Sequence, residues 1–248
     1  MLQVKKLLLF GDSITQFSCG RCESVEEAGR IDGFSLGSGL GAVYNRKLDV
    51  VTRGFSGYNT RWCLPVLDAV LDAELQGQNE VALSVIFFGS NDSVSDGPQR
   101  VPLEEYCQNI VKMVGKMKAA KIKTVLVTPA RVDKQQWSHH FAEDAKVGYV
   151  RSDALYKEYR DQLLKIGEQE GIPVVDLYTE FGKHDVSSLL TDGIHFSSEG
   201  YRVFFLALMK TIRENLPELA PENLPWHLPY WRDVTEDPTS VIAALNKY

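Results

Sequence analysis

No stretch of this 248-residue chain approaches the ~20 consecutive apolar residues that a membrane-spanning helix needs. The start, Met1-Leu2-Gln3-Val4-Lys5-Lys6-Leu7-Leu8-Leu9-Phe10, sets a basic pair before an apolar run, as a secretory leader does. That run ends after four residues at Gly11-Asp12, short of the roughly 7–15 of a leader core, so a cytoplasmic location is expected. A basic excess is missing as well. The net charge of −6 gives no electrostatic reason to expect nucleic acid or an anionic membrane as a partner.

Cysteine is sparse: Cys19, Cys22, Cys63 and Cys107. Cys19-Gly20-Arg21-Cys22 is a C-x-x-C, yet no second C-x-x-C or H-x-x-H completes a metal site. A redox pair sits at a helix start just after a strand, whereas this pair lies in a polar stretch beyond Ser13. Solvated loop thiols are expected, with no metal and no cofactor. Internal repeats and low-complexity tracts are also missing.

What is present is an ordinary globular composition, 44% hydrophobic and 24% charged. Short apolar, β-branched runs alternate with longer helical patterns, the form of repeated βαβ units on a parallel sheet. The runs 4–10, 49–53, 82–88, 123–128 and 172–177 read as five strands, nearly continuous in apolar residues because helices cover both faces. Helices are expected over 103–120, 148–170 and 198–216, with a further one over 34–47. A single domain over 1–216 follows.

Residues 217–248 differ: they hold five of the ten prolines and also Trp226, Tyr230 and Trp231. A flexible linker is poor in such rings, so a tail docked on the body or on a partner subunit is expected, which leaves room for a homodimer.

Ligands of an open parallel sheet bind beyond the carboxyl ends of its strands. Those ends lead into Gly11-Asp12-Ser13-Ile14-Thr15, Gly54-Phe55-Ser56-Gly57-Tyr58-Asn59 and Gly89-Ser90-Asn91-Asp92, and a late loop reads Thr191-Asp192-Gly193-Ile194-His195-Phe196. These are the parts for acyl transfer through a covalent intermediate. Ser13 is the candidate nucleophile and His195 its base. Asp192, three residues before His195, can hold the second ring nitrogen, and Gly193 permits the turn between them. The Ser13 N–H at a helix start, a glycine N–H such as that of Gly57, and the Asn91 amide can receive the oxyanion.

Each residue has a plainer role open to it: Ser13 as a helix cap, Gly57 and Asn91 as turn residues, Asp192 as a loop cap. Of the five histidines, only His195 follows a carboxylate by three positions across a glycine turn into a strong helix. Gly33-Phe34-Ser35-Leu36-Gly37 matches the G-x-S-x-G elbow, but the charged segment before it is no buried strand. Gly37-Ser38-Gly39-Leu40-Gly41 has neither the spacing nor the strand of a dinucleotide loop. A non-catalytic signalling module with Asp12 as phosphate acceptor would want a second acid beside it and a late basic residue. Leu9-Phe10 and Val174-Val175-Asp176-Leu177-Tyr178 supply neither.

The four blocks, in this order, resemble the SGNH (GDSL-type) hydrolases. Within that family the chain is most similar to the isoamyl acetate-hydrolysing esterases, through Arg53-Gly54-Phe55-Ser56-Gly57-Tyr58-Asn59-Thr60-Arg61-Trp62, Val101–Tyr106, Leu189–His195 and Tyr230-Trp231-Arg232-Asp233-Val234. The resemblance implies a three-layer α/β/α, flavodoxin-like fold, a Ser13–His195–Asp192 triad, and an oxyanion hole of Ser13, Gly57 and Asn91. It also implies a small-molecule ester as substrate, with short-chain acetate esters expected; a thioesterase or carbohydrate deacetylase could use the same triad. Ser90 departs from the alanine expected there, and residues 18–31 match nothing in the family.

Overall fold

The computed structural model describes residues 4–21, 33–146, 149–237 and 239–241, so Cys22 and most of the 18–31 segment lie outside them. Five strands form one sheet: β1 (Lys6–Gly11), β2 (Asp49–Gly54), β3 (Val81–Phe87), β4 (Lys123–Val127) and β5 (Val174–Val175). Their order is β2-β1-β3-β4-β5 and every pairing is parallel. Because side chains alternate along a strand, Leu7 and Leu9 point to one face, and Leu8 and Phe10 to the other. The first face joins helices Leu36–Val43 and Ser198–Asn215, through Leu40, Phe204, Leu208 and Ile212. The second joins helices Thr60–Glu74, Leu103–Ala119 and Asp153–Glu170, through Leu67, Ile110, Val114 and Leu163. This is the expected three-layer arrangement.

Local expectations shift in places, and the 34–47 helix spans only Leu36–Val43. The fifth strand is two residues long, because the Asp176 side chain accepts the Thr179 N–H at 3.2 Å and starts helix Leu177–Phe181. The 148–170 helix begins only at Asp153, where Ser152 Oγ accepts the Leu155 N–H at 3.3 Å. Helix Thr60–Glu74 is unmarked in the sequence, because Pro65 lies inside it, where it removes a donor.

The C-terminal segment is tied to the end of helix Leu36–Val43. Arg46 Nη2 donates to the carbonyls of His227, Leu228 and Pro229 at 3.1, 2.9 and 3.1 Å, with its guanidinium over the Trp226 ring. Tyr44 Oη donates to the Leu219 carbonyl at 2.9 Å. The Trp231 ring is 65% exposed, so main-chain acceptors rather than that ring make the attachment.

Candidate active site

β1 ends at Gly11, and Asp12 turns the chain into a four-residue helix, Ser13–Gln16. Asp12, not Ser13, is the cap: its Oδ1 accepts the Ile14 N–H at 2.9 Å. The Ser13 hydroxyl is thereby released from cap duty. The other serine motif shows the reverse, since Ser35 caps helix Leu36–Val43 by accepting the Ser38 N–H at 3.2 Å. The short helix lies across the end of β2, where a Cβ on Gly54 would come within 2.0 Å of the Gln16 nitrogen.

The late loop brings its imidazole to this point. His195 Nε2 lies 2.9 Å from Ser13 Oγ, and His195 Nδ1 lies 2.7 Å from Asp192 Oδ2. Asp192 Oδ1 accepts the main-chain N–H groups of Ile194 and His195 at 3.2 and 2.9 Å. Burial would raise the Asp192 carboxyl, but the His195 hydrogen bond and charge, with these two N–H groups, hold it well below the usual carboxylate range. Its ionised oxygen fixes the Nδ1–H tautomer and leaves Nε2 to face the serine. The other described histidines stand elsewhere: His139, His140 and His184 are exposed, and His227 lies against the Lys47 carbonyl.

Ser13, Gly57, Asn91 and His195 border one cavity of about 170 Å³, walled also by Trp137, Phe141 and Ile194. A second space of about 290 Å³, lined by Phe17, Arg21, Phe34, Thr191 and Tyr201, meets it at His195. The sequence-expected residues from all four blocks therefore border one site.

Three neighbours take places that no motif in the sequence marks. Arg21 Nη1 donates to Asp192 Oδ2 at 2.9 Å, the same oxygen that faces His195. Arg151, buried, donates from Nη2 to Asn91 Oδ1 at 2.9 Å. Asp92, buried next to Asn91 in the chain, accepts the Thr60 N–H at 2.9 Å and the Thr60 hydroxyl. Burial, reinforced by Asp92, pushes Asp12 up to about 7 against the Ile14 N–H, and burial likewise pushes Asp92 up to about 6 against its Thr60 bonds. Asp92 Oδ2 and Asp12 Oδ2 find no hydrogen-bond partner among the described residues. No side-chain group among the described residues has the make-up of a metal site, and no described helix is long and apolar enough to cross a membrane.

The model of the GDSL-like lipase/acylhydrolase family matches residues 9–203. The isoamyl acetate-hydrolyzing esterase of Saccharomyces cerevisiae is 37% identical over 245 residues, covering 98% of this chain and 100% of that protein. The human isoamyl acetate-hydrolyzing esterase 1 homolog is 36% identical, over 93% of this chain and 88% of that protein. Among solved structures, a lipase/acylhydrolase from Enterococcus faecalis superposes with a TM-score of 0.63 at 23% identity, over 85% of this chain and 96% of that one. An acetylxylan esterase from Geobacillus stearothermophilus superposes with a TM-score of 0.62 at 22% identity, over 86% of this chain and 95% of that one. These two similarities speak for the fold.

Proposed function

This chain belongs to the GDSL-like lipase/acylhydrolase family, and we propose that it hydrolyses short-chain acetate esters of small to medium alcohols, such as isoamyl acetate, through an acyl-enzyme on Ser13. It is a carboxylic ester hydrolase acting on a small-molecule ester. The observation that carries the proposed mechanism is the line of hydrogen bonds from Ser13 Oγ through His195 to Asp192.

In this mechanism His195 Nε2 takes the Ser13 proton as Oγ attacks the ester carbonyl. Negative charge gathers on the carbonyl oxygen, where the Ser13 and Gly57 N–H groups and the Asn91 amide receive it. His195 then gives its proton to the leaving alcohol, and Asp192 holds the imidazolium meanwhile. Water, activated by the same nitrogen, releases acetate from Ser13. The cavity bordered by the oxyanion residues, about 170 Å³, is below the ~300–1,000 Å³ of drug-sized ligand sites, which favours a small acyl group. The alcohol is assigned to the second space, because His195 borders both and must reach the leaving oxygen.

Residues 217–248 belong to the proposal as a tail, and the exposed rings of Trp226, Tyr230 and Trp231 make it the face on which a homodimer would close. Free thiols at Cys63 and Cys107 suit the reducing conditions of the cytoplasm, the compartment proposed. Turnover of isoamyl acetate, acetyl-CoA and acetylated sugars by the purified chain tests the substrate class. Preference for isoamyl acetate supports it, and preference for either of the others replaces it with a thioesterase or deacetylase.

A further inference from the structure

Arg151 is 6% exposed, and the hydrogen-bond acceptors it finds among the described residues are neutral. Nη1 donates to the Ser90 carbonyl and, at 3.2 Å, to the Tyr156 hydroxyl; Nη2 donates to Asn91 Oδ1 at 2.9 Å and Gln99 Oε1 at 3.2 Å. Tyr156 Oη donates to the same Ser90 carbonyl at 3.0 Å. A buried guanidinium with no carboxylate hydrogen-bonded to it is costly to desolvate, and the buried Asp12 carboxyl offsets that only through charge, so its placement calls for a return. Every contact leads to the oxyanion residues. Ser90 and Asn91 are one block, and Gln99 Nε2 donates to the Gly57 carbonyl at 2.9 Å.

A guanidinium can only donate, so the Asn91 atom facing it must be the oxygen. The amide nitrogen is thereby turned away from Arg151. One of its protons goes to the Tyr58 carbonyl at 2.8 Å, and the second is left for the cavity shared with Ser13 and His195. Without Arg151 the side chain could rotate and present its oxygen to the developing oxyanion, turning a donor into a repulsive group.

We infer that Arg151 is the positioning residue of the oxyanion hole: by clamping Asn91 Oδ1 and the Ser90 carbonyl it aims the Asn91 amide at the carbonyl oxygen of the substrate. This rests on the ester-hydrolase reading of the site. The same fork, through Gln99, steadies Gly57, so two of the three donors are held from one buried side chain. Arg151 acts through them rather than on the substrate.

The test is a double-mutant cycle between Arg151→Ala and Asn91→Ala on p-nitrophenyl acetate, with Ser13→Ala alongside and Tm recorded for each variant. Arg151→Ala should lower kcat about 10–100-fold with KM within about threefold, approaching the loss of one oxyanion donor. In the Asn91→Ala background the same change should cost several-fold less than in the parent, because only the arm through Gln99 to Gly57 is left for it to disturb. Arg151→Lys keeps the charge and stem but cannot bridge both oxygens as a planar fork does, so it too should lose at least about tenfold. It replaces the alanine variant in the cycle if that one fails to fold. Equal losses in both backgrounds, or wild-type kcat in Arg151→Lys, would overturn the inference while the esterase reading stands. Full activity of Ser13→Ala would instead remove that reading.

Discussion

Gly193 presses against the main chain of Trp137: a Cβ built on it would lie 2.4 Å from the Trp137 nitrogen. Its φ of +89° is one that side-chain-bearing residues rarely adopt. The Gly193 carbonyl also accepts the Asp133 N–H at 3.0 Å, joining the Asp192–His195 turn to the helix that carries the Trp137 wall. Strain and contact act together in Gly193→Ala. Backbone strain of about 1–3 kcal/mol is expected as a lower Tm, and the displaced imidazole as at least a tenfold slower turnover. Calorimetry and a rate assay check both, and a variant matching the parent in each removes the proposed role of this contact.

Ser13→Ala and His195→Ala are each expected to reduce turnover by about 10⁴–10⁶ with an unchanged fold, and the double variant should be little worse than either, since the two act as a unit. Steady-state rates beside circular dichroism spectra provide the check. A loss under tenfold in either single variant eliminates the triad.

Asp12 and Asp92 predict a particular pH dependence of stability. Burial raises Asp12 from 3.8 to about 7 and Asp92 from 3.8 to about 6. Between about pH 4 and 7 the folded chain therefore holds more protons at these sites than the unfolded chain, so their contribution falls as pH rises. Asp192, held low in the fold, works oppositely: its stabilisation is present above the ordinary carboxylate range and is lost as pH falls below it. Asp12→Asn keeps the cap oxygen but removes the titration. Its Tm relative to the parent should rise by several degrees between pH 5 and pH 8, at about 2–4 °C for each 1 kcal/mol at this chain length. A difference that stays constant across that interval rejects the proposed titration.

Removal of residues 221–248 takes away the carbonyls that Arg46 binds and the exposed Trp226, Tyr230 and Trp231. The shortened chain should differ from the full one in acyl or alcohol preference or in its mass by light scattering. Identity in both would exclude the tail from pocket and interface alike.

The strands, the helices over 103–119 and 198–215, and the four blocks at the strand ends were legible along the chain. Their signals are local: an apolar period, a glycine turn, a polar residue where a strand stops. The Asp192–His195 pair was legible for the same reason, since three positions and one glycine bring it together. The identity of the helix cap beside Ser13 was not, because Asp12 and Ser13 are both good cap residues and only the backbone turn selects between them. Nor was Arg151, which stands 60 positions from Asn91 just before its helix, with no period or motif to mark it. Sequence by itself determined the chemical inventory and the sheet that collects it. Only the tertiary structure decided which way the Asn91 amide points and which carboxyls lie buried near Ser13, because those depend on packing between segments far apart in the chain.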